Sequence, residues 1–238
     1  MKTRELQLKL GYEFSNISLL ERSLTHRSWS EEAVGQQSSH QHHNERLEFL
    51  GDMVVGLGVT NLLCRSFEQS AEGILSRARS KIVGTEGLAD VARELDLGSH
   101  MRLGRGEERS KGREKSRILA NCLEAVLGAV FEDGGYDPAE AVVKLLFDGR
   151  FQETRDVGID NYGVDPKSLL QQRTQARWSV TPRYIITSEA GPAHERMFRA
   201  EVIIGDELQV LGEFAPRKQD AGRSAARAAL RAMDPGEE

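Results

Sequence analysis

Three carboxylates at Glu45, Glu48 and Asp52 are the residues of this chain best spaced to do chemistry. On a helix they occupy i, i+3 and i+7, which puts them on one face. Leu47, Phe49 and Leu50 point to a different, apolar side, and the run continues as Met53-Val54-Val55-Gly56-Leu57-Gly58-Val59. A solvated acidic stripe is the plain alternative. The apolar flanks favour instead a largely buried helix, in which Gly51, Gly56 and Gly58 permit close backbone approach. Like charges at helical spacing repel, more so when buried, and call for a positive partner, either a cation or an Arg/Lys side chain. A hard divalent ion such as Mg2+, held by one or two carboxylates and several waters, meets that need economically.

A second helix, predicted over 117–131, repeats the pattern. Asn121 and Glu124 stand at i and i+3 among Cys122, Leu123, Ala125, Val126, Leu127 and Val130. Packed against the first helix, it would gather Glu48, Asp52, Asn121 and Glu124 around one point. Glu72 is a further acid, ahead of a basic helix with Arg77, Arg79 and Lys81; it serves equally well as an ordinary helix-start Glu beside the positive end of the helix dipole. Carboxylate-held ions suit phosphodiester hydrolysis, which needs an activated water and charge stabilisation on the phosphate and the leaving 3′ oxygen. No Ser/His/Asp or Cys/His arrangement competes. Leu103-Gly104-Arg105-Gly106 lacks the Gly-Lys-Ser/Thr of a nucleotide loop, so no nucleotide or organic cofactor is expected. His40, His42 and His43 fall in a Gln/Ser/His-rich stretch, Glu31 to His43, that reads as a flexible loop.

The elements that must position these groups fall into two parts. Residues 4–150 read as helix after helix, at Ile17–Leu24, Leu47–Cys64, Leu75–Leu95 and Arg117–Phe131. Residues 153–164 read as a polar linker. From 165 an α-β-β-β-α pattern follows: a helix capped by Asp165-Pro166, strands at 183–187, 196–204 and 208–214, and a helix from Arg217-Lys218 that turns Ala221, Ala225, Ala229 and Ala232 toward the sheet. The fold class is therefore an all-helical domain, residues 1–152, followed by an α+β domain, residues 165–233, and a short tail. Of 238 residues, 32 are Lys or Arg and 37 Asp or Glu, a net charge of −5. That balance is uneven: residues 1–164 hold 21 basic and 26 acidic side chains, residues 165–233 hold 11 and 8. The basic excess of the second part keeps a nucleic-acid partner open. No apolar run has the length of a membrane span and no secretory signal is evident. Cys64 and Cys122 read as small buried hydrophobes in a reducing compartment, the cytoplasm.

The nonapeptide Asn44-Glu45-Arg46-Leu47-Glu48-Phe49-Leu50-Gly51-Asp52 closely resembles the most diagnostic motif of the bacterial ribonuclease III family. Gly11-Tyr12-Glu13-Phe14, Leu24-Thr25-His26-Arg27-Ser28-Trp29, Leu103-Gly104 and Ile118-Leu119-Ala120-Asn121-Cys122-Leu123-Glu124-Ala125 extend the likeness over essentially the whole chain. The second part looks like a double-stranded RNA-binding domain, a module that reads A-form shape. The resemblance implies a homodimeric double-strand-specific endoribonuclease that uses Mg2+, with Mn2+ as a substitute. It also implies 5′-phosphate products with short 3′ overhangs, from ribosomal and messenger RNA precursors. It matches Glu48, Asp52, Asn121 and Glu124 to the metal positions, Asp52 and Glu124 to those most needed for catalysis, and Glu45 and Glu72 to acids along the cleavage site. Phe49 matches an apolar residue of the dimer interface. Ser168, Gln171, Gln172, His194, Arg217 and Lys218 match RNA contacts. At Asn121 the chain departs from the family's aspartate: the amide oxygen is still a hard ligand but brings no charge. Two rival readings follow, a duplex-RNA-binding protein with a weakened catalytic domain, and a structural helical dimer whose acids are salt-bridged. The segment Arg102 to Arg117, rich in both charges, reads as a solvated loop or as a phosphate-contacting one.

Overall fold

The computed structural model describes residues 2–34, 42–192 and 195–233. The chain divides into two compact units, residues 1–162 and 163–238. The first is helical: α1 (Lys2–Leu10), α2 (Ile17–Ser23), α3 (Arg27–Val34), α4 (Glu45–Ser66), α5 (Glu72–Ile82), α6 (Thr85–Glu94), α7 (Leu97–His100), α8 (Arg105–Arg109), α9 (Ser116–Gly134) and α10 (Tyr136–Val157). Its centre is α9, whose residues 119–130 are buried save Asn121 and Glu124. An almost wholly apolar helix is stable only inside a core, and α2, α4, α6 and α10 pack around this one.

α4 crosses α9 with no room between the backbones. A Cβ at Gly51 would lie 1.7 Å from the Glu124 carbonyl oxygen, and one at Gly128 would lie 2.1 Å from that of Leu47. Each helix thus lends a glycine where the other's carbonyl passes, and any side chain there would hold them apart. Gly58 plays a milder part against Val143, whereas Gly56, expected at a close approach, faces open space. By length and composition α4 could cross a bilayer, yet Leu47, Val54, Val55, Val59 and Leu63 are buried in this unit.

Several expectations need correction. The helix over Leu75–Leu95 is two helices, broken at Gly84, whose extended backbone (φ −67°, ψ 159°) starts α6. The linker over 153–164 begins as helix and contributes residues to the core. α10 runs on to Val157, and Phe151, Thr154, Ile159 and Tyr162 are buried. These few buried groups, spaced by exposed polar ones, are too sparse to show as periodicity but sufficient once tertiary packing covers them. Cys64 is exposed while Cys122 is fully buried. The face of α4 carrying Cys64 also leaves Phe49 81%, Met53 63% and Leu57 56% exposed, so α4 is less buried than its composition suggests. His43, read as part of a flexible loop, is buried, and its Nδ1 accepts from the Glu45 N–H at 3.3 Å. His40 lies outside the described residues.

The second unit is α11 (Pro166–Trp178), β1 (Arg183–Ala190), β2 (Met197–Ile204), β3 (Leu208–Leu211) and α12 (Lys218–Met233). The Asp165 side chain caps α11 by accepting from the Lys167 N–H at 2.9 Å, with Pro166 in the first turn, as the sequence indicates. The antiparallel sheet runs β1-β2-β3, with an irregularity in β1 between Ile186 and Ser188. Ala200, Val202 and Ile204 alternate into the core and meet Leu170 and the small face of α12. That face is Ala221, Gly222, Ala225, Ala226 and Ala229; Ala232, expected there, is exposed because the helix has run past the sheet. β3 ends at Leu211, three residues short of its expected end, although Phe198 and Ala215 still exchange backbone hydrogen bonds at 2.8 Å.

Candidate metal and nucleic-acid sites

The Gly51–Gly128 crossing places Glu48 and Asp52 of α4 beside Asn121 and Glu124 of α9. Their mutual influence is electrostatic and direct. Burial, then the charges of Asp52 and Glu48, push the Glu124 carboxyl up to about 7. Burial and the Glu45 charge also raise Glu48, while a hydrogen bond from the Asn121 amide and the Arg117 charge draw it back. An aspartate at 121 could not donate that bond; it would add a fourth negative group to three that already repel.

The start of α4 is fixed by the segment Thr25–Ser28. The Thr25 carbonyl accepts from the Asn44 N–H at 2.9 Å, and Thr25 pairs with Arg102 across a short parallel bridge. The Ser28 hydroxyl accepts from the Gly104 N–H at 2.9 Å. Two stretches singled out in the sequence, Leu24–Trp29 and Leu103-Gly104, thus act together as the frame that aims the first turn of α4. Glu45, in that turn, lies 3.4 Å from Arg27 Nη1 and 3.8 Å from His43 Nε2. It touches the cluster from outside, through its charge on Glu48. Burial lowers His26, whose Nδ1 lies 2.8 Å from Ser28 Oγ.

Glu72 is not drawn into this cluster within one chain. It is exposed in the first turn of α5, and its Oε1 accepts from Ser76 Oγ at 2.6 Å. Among the described residues no three His, Cys, Asp or Glu side chains are gathered to hold a metal ion by themselves. The donor set nonetheless fits a hard cation that keeps waters: two carboxylates on α4, one on α9, and an amide oxygen. The Glu124 carboxyl, raised to about 7 by burial and then by the Asp52 and Glu48 charges, is one that a nearby cation would return to the charged form.

The wall around these acids includes residues to which the sequence reading gave no individual role, His26 and Arg27 among them. A cavity of about 450 Å3 beside Glu48 is lined by His26, Arg27, Asn44, Glu45, Arg117, Ile118 and Asn121. Arg117 was detectable, since it precedes Asn121 by one helical turn on the same face. Many other cations of the 102–117 segment are already engaged. Arg113 pairs with Glu108 and donates to the Met101 carbonyl at 2.8 Å, Lys115 pairs with Glu107, and Arg102 lies 3.6 Å from Glu21.

In the second unit, Ser168, Gln171 and Gln172 are exposed on one face of α11. Arg217 and Lys218 are exposed at the start of α12, where the Arg217 carbonyl accepts from the Ala221 N–H. Lys218 is not idle: its Nζ lies 2.9 Å from Glu189 and 5.1 Å from the Phe198 ring. His194 lies outside the described residues. Gly212 of Gly212-Glu213-Phe214 is buried where a Cβ would come 2.5 Å from the Ala225 nitrogen, which brings the end of β3 onto α12.

Comparison with known proteins agrees with this division. The family model described as ribonuclease-III-like matches residues 16–148, and that of the double-stranded RNA binding motif matches residues 166–233. The chain is 40% identical to ribonuclease 3 of Geobacter sulfurreducens over 98% of its own length and 92% of that protein's. It is 42% identical to ribonuclease 3 of Thermobifida fusca, again over 98% and 92%. The crystal structure of the nuclease domain of ribonuclease III from Campylobacter jejuni is 36% identical, with a TM-score of 0.55 over 61% of this chain and 94% of that one. A second structure of that domain, described for flexibility in a region involved in its dimer formation, gives 0.56 over 62% and 97%.

Proposed function

The chain belongs to the ribonuclease III family and is an endoribonuclease specific for double-stranded RNA, and on that premise we propose that it works as a Mg2+-dependent homodimer, with Mn2+ as a substitute ion. The observation that carries the metal dependence is the gathering of Glu48, Asp52, Asn121 and Glu124 at the α4–α9 crossing, where burial and then the Asp52 and Glu48 charges raise the Glu124 carboxyl to about 7. Glu48, Asp52, Asn121 and Glu124 would hold the ion, all through hard oxygens. Bound there, Mg2+ supplies activation of water and neutralisation of charge on the phosphate and the leaving oxygen. The protein's own contribution is position. The α4–α9 crossing sets the spacing of the acids, Thr25 holds Asn44 at the start of α4 while bridging to Arg102, and Ser28 ties the same segment to Gly104.

Homodimerisation is supported by the apolar stripe Phe49, Met53 and Leu57, which a single chain leaves in water. In this reading Glu45 and Glu72 line the path of the duplex. The second unit holds duplex RNA through Ser168, Gln171 and Gln172 at one minor groove, His194 at another, and Arg217 and Lys218 on phosphates. Products carry 5′-phosphates with short 3′ overhangs, the substrates are ribosomal and messenger RNA precursors, and the enzyme acts in the cytoplasm.

The test is cleavage of a perfect RNA duplex by the full chain across a Mg2+ titration, with chelator as the zero point. Metal-dependent cutting to 5′-phosphate ends with 3′ overhangs is expected. Binding without cleavage at metal far above cellular levels would end the catalytic reading and leave a duplex-binding protein.

A further inference from the structure

The cavity beside the acid cluster has a cationic side that the metal reading does not use. Two guanidinium groups reach it, Arg27 from α3 and Arg117 from the first turn of α9. Arg27 is already neutralised, with Nε 3.2 Å from Glu31 and Nη1 3.4 Å from Glu45. Arg117 is different: it is exposed, and among the described residues it makes no hydrogen bond or ion pair. Its charge nevertheless reaches Glu48, which places the guanidinium near the cluster. The first turn of α9 has no side-chain cap, so its free N–H groups add positive potential on the same side.

An uncommitted arginine facing carboxylates is either a counter-ion for them or a holder of the substrate's own negative charge. As counter-ion it should have closed on Glu48; instead Glu48 takes its hydrogen bond from Asn121 and leaves the five guanidinium donors open. A planar fork of donors beside hard-oxygen ligands matches the two non-bridging oxygens of a phosphodiester.

We propose that Arg117 holds the phosphodiester of duplex RNA at the cleavage position, so that the protein supplies there a fixed positive charge in addition to any ion. This rests on the catalytic reading above. It gives the pair Arg117 and Asn121 a joint sense: one turn of α9 brings a fixed cation and gives up an anion. The local balance moves toward the substrate's phosphate and away from the metal.

The experiment compares the full chain with Arg117→Ala and Arg117→Lys on one short RNA duplex. Binding is followed by fluorescence anisotropy in chelator across a salt series, and cleavage is followed at saturating Mg2+. The slope of log affinity against log salt should fall by about 0.9 in Arg117→Ala, the loss of one phosphate contact, and be kept in Arg117→Lys. Cleavage by Arg117→Ala should drop about tenfold or more in kcat/KM, with Arg117→Lys between it and the parent. An unchanged salt slope in Arg117→Ala overturns the proposal. So does a variant that cuts as well as the parent at lower Mg2+, because the arginine would then only repel the ion. If the parent itself binds but does not cut, the catalytic reading fails while the salt slope still judges Arg117. Should Arg117→Ala melt more than a few degrees early, Arg117→Gln keeps the polar stem and answers the same question.

Discussion

Gly51→Ala is the smallest change that should dismantle the site without touching a functional group. The new methyl carbon would start 1.7 Å from the Glu124 carbonyl oxygen, and only 2.5 Å from its carbon. Such atoms do not approach within about 3 Å, so α4 and α9 must part locally by more than about 1 Å. The obstacle is backbone inside a core helix, which no rotamer change relieves. Overpacking of this kind costs about 1–3 kcal/mol, and the rigid obstacle puts the expectation at the upper end. Glu48 lies one turn before Gly51, Asp52 follows it, and Glu124 owns the carbonyl that is struck, so the acids of the two helices separate along with their backbones. A displacement of roughly 1 Å at reacting groups lowers turnover on the order of 100-fold. The assays are thermal unfolding and duplex cleavage at saturating Mg2+. Gly149→Ala is the matched control: it is an exposed interior position of α10 with nothing within 4 Å of the added carbon. There the same substitution should stabilise by about 1 kcal/mol, with no effect on cleavage. A Gly51→Ala protein that melts with the parent and cuts at the parental rate would refute the claim that this crossing sets the site. Gly128→Ala, 2.1 Å from the Leu47 oxygen, should reproduce the defect, and the double variant should be less than additive because both force apart the same crossing.

Other expectations follow from the same geometry. Asn121→Asp should lower the Mg2+ concentration for half-maximal cleavage and destabilise the metal-free protein, since it exchanges a donor to Glu48 for a fourth anion; a metal requirement that stays or rises would place residue 121 away from the ion. Glu124, raised from 4.5 to about 7, keeps a proton in the folded state that the unfolded chain has lost. Metal-free stability should therefore fall as pH rises across that window, and Glu124→Gln should flatten the profile while abolishing cleavage; a variant with the parental pH slope would exclude Glu124 as its source. Phe49→Glu should leave a folded monomer by sedimentation, because it charges the most exposed residue of the α4 stripe, whereas a persistent micromolar dimer would locate the interface elsewhere. Glu189→Gln should release Lys218 and Arg196, which lie 2.9 and 3.5 Å from the Glu189 carboxylate, and tighten duplex binding severalfold at low salt. Unchanged affinity would remove Lys218 from the RNA contact.

Much of this protein is legible one residue at a time. Helical periodicity located α2, α4 and α9, alternation located β2, and the Asp165-Pro166 cap located α11, because each is a local pattern with a local cause. The hard-oxygen character of the site is likewise in the residue types, and so is the anomaly at Asn121. The 150–162 stretch was not legible. Phe151, Thr154, Ile159 and Tyr162 are too sparse to announce a buried stripe, and only the rest of the core covers them. Gly84 interrupts a run whose periodicity continues across it, and Cys64 and Ala232 sit in apolar stretches of sequence yet are exposed. Whether an apolar position is inside depends on what packs over it, which spacing cannot state.

The acids show the same division at the level of function. Sequence alone determined that Glu45, Glu48 and Asp52 share a helical face, that Asn121 and Glu124 share another, and that both faces adjoin apolar ones. Tertiary structure decided which of them meet. Two glycines let α4 and α9 touch backbone to backbone, so Glu124 is partly buried beside Asp52 and Glu48, and burial together with their charges raises its carboxyl to about 7. Glu72 stays outside that group, and of the charged segment 102–117 it is Arg117 that comes to line the cavity. The reason is physical: repulsion between carboxylates and attraction to a guanidinium depend on distances across helices, and those are set by where two backbones can approach.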